Sequence, residues 1–333
     1  MDRNNQGDST GELFYPTAML RQISLSLAAL ALCACGEQTS DPTHASADVT
    51  ATVYVDVGDY WKQPADQTAW RAMLDKIDGE FDAVCGDTFC EGDYSNLTSL
   101  GFTCSVSSIR GAVHECVWTF TGSSHLINAG TGTVTASVAS FQCRVAPSGS
   151  ARALLNLLGP AGGDPSIRRV LPGTTQTLYD VLGDCFQHPI GASPITTGTG
   201  STYGDAPDVP GTDQGQWFAG QDALQAGFDA VCGDTFCEGD YSNLQALRFA
   251  CSVRNTTGTL RQCKWLFGGT YNTLDPATGA ITVNAKGYKC IVPVKGNVNA
   301  LSAALTAPGD TSAIDRTLPG TTASAYDALL GCL

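Results

Sequence analysis

The stretch CGDTFCEGDYSNL occupies residues 85–97 and returns without a single change at 232–244. The cysteines around it keep the same interval. They fall at Cys85, Cys90, Cys104, Cys116, Cys143 and Cys185, then at Cys232, Cys237, Cys251, Cys263, Cys290 and Cys332, each pair 147 positions apart. The same offset lays Trp70 on Trp217, Trp118 on Trp265, LPGTT at 171–175 on 318–322, and Tyr179-Asp180 on Tyr326-Asp327. No gap is needed between 66–185 and 213–332. A period this long marks a duplicated domain, because solenoid units run only about 20–50 residues.

Each copy carries the same local pattern. Apolar residues recur at Trp70, Met73, Leu74, Ile77, Phe81 and Val84, a spacing that predicts one amphipathic helix ahead of the motif. Beyond it, Phe102/Cys104/Val106, Cys116/Trp118/Phe120 and Phe141/Cys143/Val145 alternate. The second copy repeats them as Phe249/Cys251/Val253, Cys263/Trp265/Phe267 and Tyr288/Cys290/Val292. Alternation predicts half-buried strands of an antiparallel meander. ALLNLL at 153–158 and TLYDVLGDC at 177–185 predict closing helices. The expected fold class is α+β: two tandem copies of a small disulfide-stapled domain, each with a helix, an antiparallel β-meander and C-terminal helices. The repeat domains are placed at 66–185 and 213–333, joined by a flexible Pro/Gly/Ser/Thr-rich linker at 186–212. VTATVYVDV at 49–57 alternates too, and predicts one strand without a counterpart in the second copy.

The chain has 333 residues, 43% hydrophobic and 15% charged, enough apolar material for two ordinary domains. Its net charge of −14 argues against nucleic acid as a partner, since phosphate backbones need basic patches. Fourteen cysteines are too many for an ordinary reducing compartment. From Met19 the chain reads MLRQISLSLAALALCACGEQTS: a basic start at Arg21, an apolar core at 23–32, then small residues and cysteines. This is signal-peptide architecture, and the core is shorter than the about 20 apolar residues of a membrane span. Leu32-Cys33-Ala34-Cys35 resembles the lipobox of bacterial lipoproteins, with Cys35 the better acceptor because small Ala34 precedes it. The resemblance covers only about the first tenth of the chain. It implies a signal peptide at 1–35 with translation starting at Met19, lipid on Cys35, a tether at 36–65 and membrane attachment through that lipid. Gly36 after the acceptor implies the outer membrane for lipoproteins of this kind. A plain secretory signal is the alternative.

In an exported chain, six cysteines per domain read as three disulfides. Zinc is the competing reading, Cys85-x4-Cys90 being loosely finger-like, but the other gaps are long and the second domain has no histidine. The pairing is open at this point, since six cysteines allow fifteen connectivities. Cys104, Cys116 and Cys143 share a face with large apolar residues and are expected to tie strands to one another or to helices.

The acids of the motif support two readings. Asp87, Glu91 and Asp93, with Asp234, Glu238 and Asp240 in the second copy, put hard oxygens in a glycine-containing loop, as calcium requires. The match to a helix–loop–helix calcium loop fails where Phe89 and Ser99 stand in place of oxygen donors. The other reading is structural: Asp93 or Ser95 caps a short helix begun by SNLTSL, and Tyr94 and Leu97 plug the core. LPGTT reads as a turn into a helix, with Thr174 or Thr175 at its N-cap. Arg169/Arg316, the only duplicated basic residue, is expected to pair with a motif acid or with Asp180/Asp327.

Nothing marks a reaction. His44, His114, His125 and His188 have no counterparts in the second copy, so no duplicated Ser–His or Cys–His arrangement exists. GPAGGD at 159–164 lacks the lysine of a phosphate loop. The expectation is a non-catalytic binding or scaffold module of the cell envelope, with an envelope or extracellular ligand. Two alternatives stand beside it. One is an envelope hydrolase working through carboxylates such as Glu91 and Asp93. The other is a protease inhibitor presenting the unequal strand connections GSSHLINAGTG and GTYNTLDPATG.

Overall fold

The computed structural model describes residues 52–160, 165–193, 195 and 198–333. The expected lipid acceptor Cys35, the segment expected to be a signal peptide, the expected tether up to residue 51 and residues 161–164 of GPAGGD lie outside the described residues. The first copy opens with strand β1 (Tyr54–Asp56) and a single turn, α1 (Val57–Tyr60), capped by Asp56, which accepts from Gly58 N at 2.7 Å. Helix α2 (Pro64–Cys85) follows, with proline in its first turn, where a missing N–H does no harm. It buries Trp70, Met73, Ile77, Phe81 and Cys85, the stripe expected from the spacing. Three strands then form the meander, β2 (Thr98–Ser107), β3 (Val113–Ile127) and β4 (Val134–Val145), and the sheet order is β1-β2-β3-β4. Helices α3 (Ala151–Leu158) and α4 (Leu178–Cys185) close the copy.

The second copy repeats this order, with a 3-10 turn at Ala206–Asp208 in place of α1: β5 (Tyr203–Asp205), α5 (Gln214–Val231), β6 (Gln245–Arg254), β7 (Leu260–Leu274), β8 (Ile281–Val292), α6 (Val298–Leu305) and α7 (Ala325–Leu330). Its sheet order is β5-β6-β7-β8. Strand β5 corrects two expectations. The strand ahead of the first copy is duplicated after all, and the segment read as a linker carries it. A gapless comparison misses the match because Tyr54 and Tyr203 are two residues further apart than the cysteine pairs. Ile190, in the same segment, also bridges to Ser140 on β4.

Six disulfides hold the copies, with the same connectivity in each: Cys85–Cys90, Cys104–Cys116 and Cys143–Cys185, then Cys232–Cys237, Cys251–Cys263 and Cys290–Cys332. The first of each set closes the turn after the long helix, where Cys90 N donates to Cys85 O at 2.7 Å and Cys237 N to Cys232 O at 2.6 Å. The second ties neighbouring strands, and the third ties the last strand to the last helix.

Three local expectations are corrected. SNLTSL begins no helix, because Asn96 turns its amide toward the sheets and β2 starts at Thr98. The last helices are capped by Thr177 and Ser324, each in a reciprocal capping box with Asp180 or Asp327, while Thr174 closes the preceding turn by donating to Leu171 O at 3.0 Å. Among the described residues Arg169 pairs with no acid: it donates to Leu157 O at 3.1 Å, and Arg316 donates to Leu305 O at 2.7 Å, so each satisfies a carbonyl at the end of α3 or α6.

Each sheet has an apolar face packed under its helices, where Phe81, Trp118, Phe120 and Phe141 fill the first copy and Phe228, Trp265 and Phe267 the second. The opposite faces carry small and polar residues, which the sequence reading left to solvent. The structure buries them against each other, so that Ser105, Thr119, Thr121, Ser123, Ser252 and Thr270 are all buried. The two copies therefore belong to one compact unit, Thr50–Leu333, built as helix, sheet, sheet, helix.

The contacts between the copies come in reciprocal pairs, the signature of a two-fold arrangement. Asn96 Nδ2 donates to Leu247 O and Asn243 Nδ2 to Leu100 O, both at 2.8 Å. Val134 N donates to Gln262 Oε1 at 2.8 Å, and Ile281 N to Glu115 Oε1 at 2.5 Å. Tyr203 N donates to Ala129 O at 3.0 Å, and Tyr54 N to Pro276 O at 2.8 Å. On the axis itself Thr121 meets Gly268, its own counterpart, at a separation that leaves no room for a second side chain. Two threonines would collide there. The fused chain resolves the conflict with unlike residues, which an assembly of identical subunits cannot do. The hairpin tips read as free inhibitory loops are the segments gripping the opposite copy at Ala129 and Pro276.

The copies solve one packing problem differently. Glu80 on α2 accepts from Ile167 N at 3.0 Å and Ser166 Oγ at 3.1 Å, and pairs with Lys76 at 3.0 Å. Its counterpart is Gly227, where a Cβ would stand 3.1 Å from Ile314 Cβ. Burial acts to raise the Glu80 pKa, but the Ser166, Ile167 and Lys76 hydrogen bonds outweigh it and hold the carboxyl below its ordinary value of 4.5. A lowered carboxyl stabilises the fold above the unfolded pKa and stops doing so as the pH falls through the folded value. Glu80→Ala is therefore expected to lower the melting temperature at pH 7, by the several degrees that about 1–3 kcal/mol represents. The deficit should shrink steadily in melts taken from pH 5 down to pH 3.

Candidate binding cleft beside the repeated motif

The motif residues have separable roles. Cys85 and Cys90 close the turn, and Phe89 wedges between Tyr179 and Phe186, with ring centroids 5.0 and 5.3 Å away. Gly92 and Gly239 adopt φ of 90° and 79°, a conformation that disfavours side chains. Tyr94 sets its edge on Phe141 at 5.9 Å, and Leu97 enters the core. Asn96 accepts from Ser123 N and donates to Ser123 Oγ, both at 2.8 Å, while its amide also reaches Leu247 O in the other copy. Asn243 repeats the scheme on Thr270 N, Thr270 Oγ1 and Leu100 O. Letter-for-letter identity thus has a structural cause at the cysteines, aromatics, glycine, asparagine and leucine.

The acids stand apart. Asp87, Glu91, Asp93, Asp234, Glu238 and Asp240 are all exposed. Among the described residues no group of three or more His, Cys, Asp or Glu converges closely enough to hold a metal ion. The structure brings two of the first three together at another feature. Glu91 and Asp93 line a cleft of about 500 Å³, together with Phe89, Tyr94, Leu97, Phe141, Phe186 and Pro189; Asp87 is not among its lining residues. The result is an aromatic floor with a carboxylate rim.

Two staples position this cleft. Cys85–Cys90 fixes the turn carrying Phe89, and Cys143–Cys185 fixes α4, which delivers Phe186. Phe186 in turn packs on Phe120 at 5.1 Å and Phe141 at 5.2 Å. Such a floor is preformed, so a ligand need not order it. None of the described histidines lines it. His114 packs on Tyr54 at 5.0 Å, His125 Nε2 lies 2.8 Å from Asp205 Oδ2, and His188 Nδ1 lies 3.1 Å from Asp184 O. Sequence reasoning found the acids but not Phe141 and Phe186, which reach the cleft from β4 and the end of α4. The one available signal was that both flank disulfide cysteines.

No family model matches the chain, and neither the curated proteins nor the solved structures include a match. The site must be read from its own chemistry.

Proposed function

We propose that the chain is a lipid-anchored, extracytoplasmic binding module of the bacterial envelope that does no chemistry of its own. The observation that carries this reading is the preformed cleft of aromatic rings and exposed carboxylates, held by two disulfides and, among the described residues, lined by neither histidine nor free thiol. The lipobox resemblance at Cys35 supports the anchor, and six disulfides suit an oxidising compartment. The net charge of −14 is compatible with a cationic ligand and unfavourable for anionic polymers.

The anchor is tested by expressing the full chain in a bacterium with an outer membrane, labelling with a palmitate analogue and fractionating the cells. Label on the wild-type chain in the membrane fraction is expected, and Cys35→Ser should be unlabelled and leave that fraction. Unlabelled wild-type protein in the soluble periplasmic fraction would overturn the anchor.

A further inference from the structure

The second copy carries a cation where the first copy has a cleft. Lys286, on β8, places Nζ 4.5 Å from the ring centroid of Tyr288 and 5.6 Å from that of Tyr241. Tyr241 and Tyr288 are the counterparts of Tyr94 and Phe141, two of the rings that line the cleft of the first copy. The acids are repeated as well, as Glu238 and Asp240 for Glu91 and Asp93. The match is partial: Phe186 of the cleft has Leu333 as its counterpart, and Lys286 stands where the first copy has Ala139, which is fully buried. The first copy thus keeps a pair of rings like those that meet an ammonium in the second copy, with Glu91 and Asp93 lining the same cleft, and none of its lining residues is an ammonium.

We propose that the cleft of the first copy binds an alkylammonium group, the chemistry of a lysine side chain or a small aliphatic amine, with Lys286 as the built-in example of the same interaction. Ring faces attract a cation within about 6 Å of their centroids, and an aliphatic stem can lie along the same aromatic surface. Among the described residues no basic side chain lines the cleft to compete for it. Two arginines packed near its wall residues are engaged elsewhere: Arg248 Nη2 with Ser95 Oγ at 3.2 Å, and Arg168 over the Tyr179 ring at 4.0 Å. The inference rests on the binding reading above and names the ligand class for that same site.

The test is a chemical-shift titration of the full chain, following the rings of Tyr94 and Phe141. The probes are n-butylammonium, Nα-acetyl-lysine methylamide and, as the neutral control that keeps the aliphatic stem and lacks the ammonium, Nα-acetyl-norleucine methylamide. Saturable shifts with one site per chain are expected for an amine, and none for the norleucine compound. A response to the lysine amide alone assigns the source to a peptide; a response to both assigns it to the free amine group. Glu91→Gln with Asp93→Asn, both at exposed positions, should weaken binding about fivefold or more. Lys286→Ala, also exposed, should free the second copy's rings and raise the stoichiometry from one site to two. Equal shifts with the norleucine compound, or no amine binding in either the wild type or Lys286→Ala, would overturn the proposal. Labelling at Cys35 would still report separately on the anchor, so failure of the ligand class and failure of the envelope reading are distinguishable.

Discussion

Asn96→Ala should cost about 3 kcal/mol, and Asn243→Ala should cost the same within experimental error. Each amide makes three hydrogen bonds, two within its own copy and one across to the other, all between 2.8 and 2.9 Å. Truncation removes them and leaves Ser123 N or Thr270 N, and Leu247 O or Leu100 O, without these partners between packed sheets. Lost bonds at about 1 kcal/mol each, with further loss from unsatisfied groups, give that magnitude. Urea unfolding of the two single variants and the double variant measures it. Two independent domains would show one transition move while the other stays. A single unit shows one transition that moves in every case. The double variant should then cost more than either single, although not their full sum, because both amides hold one interface.

The second large effect comes from the long-range staple. Removing Cys143–Cys185 by paired alanine substitution is expected to cost about 4 kcal/mol, because the bond closes a separation of 42 residues. Removing Cys85–Cys90, which spans a separation of 5, should cost about 2 kcal/mol on the same chain-entropy account. The Cys143–Cys185 bond also has a local consequence, since Phe186 follows Cys185 directly and lines the cleft. The matching Cys290–Cys332 bond has the same separation but belongs to the other copy. Its loss should lower stability by a similar amount and leave the Tyr94 and Phe141 ring signals in place. Melts compared with ring spectra separate the two outcomes, and a Cys143–Cys185 variant with unchanged ring signals would contradict the link between staple and cleft.

Much of the fold was legible because its signals are periodic. The stripe from Trp70 to Phe81 gave α2, and alternation around Cys104, Cys116 and Cys143 gave the meander and the cysteine-bearing face. The assembly of the copies was not legible. Thr119, Thr121, Ser123 and Thr270 carry no signal of burial, since small hydroxyl residues suit water as well as a tightly packed sheet interface. Only the tight fit of Thr121 against Gly268 reveals that the backbones approach each other there. Strand β5 was hidden by an offset of two residues in an otherwise gapless repeat. At the candidate site the acids were conspicuous and their aromatic partners were not, because Phe141 and Phe186 look like ordinary core residues. Lys286 carries no signal in the repeat for a related reason: its information lies in a difference between the copies, Lys286 against Ala139, and not in an identity.

The duplication builds one body, with the motif asparagines clasping sheet to sheet, and not two beads on a flexible linker. Small-angle X-ray scattering of residues 50–333 in oxidising buffer tests it most directly. A single body of this length should give a radius of gyration of about 19 Å and a single-peaked distance distribution. Two separate domains on a 27-residue linker at 186–212 would give a value above about 25 Å and a second maximum, and that result would contradict the account.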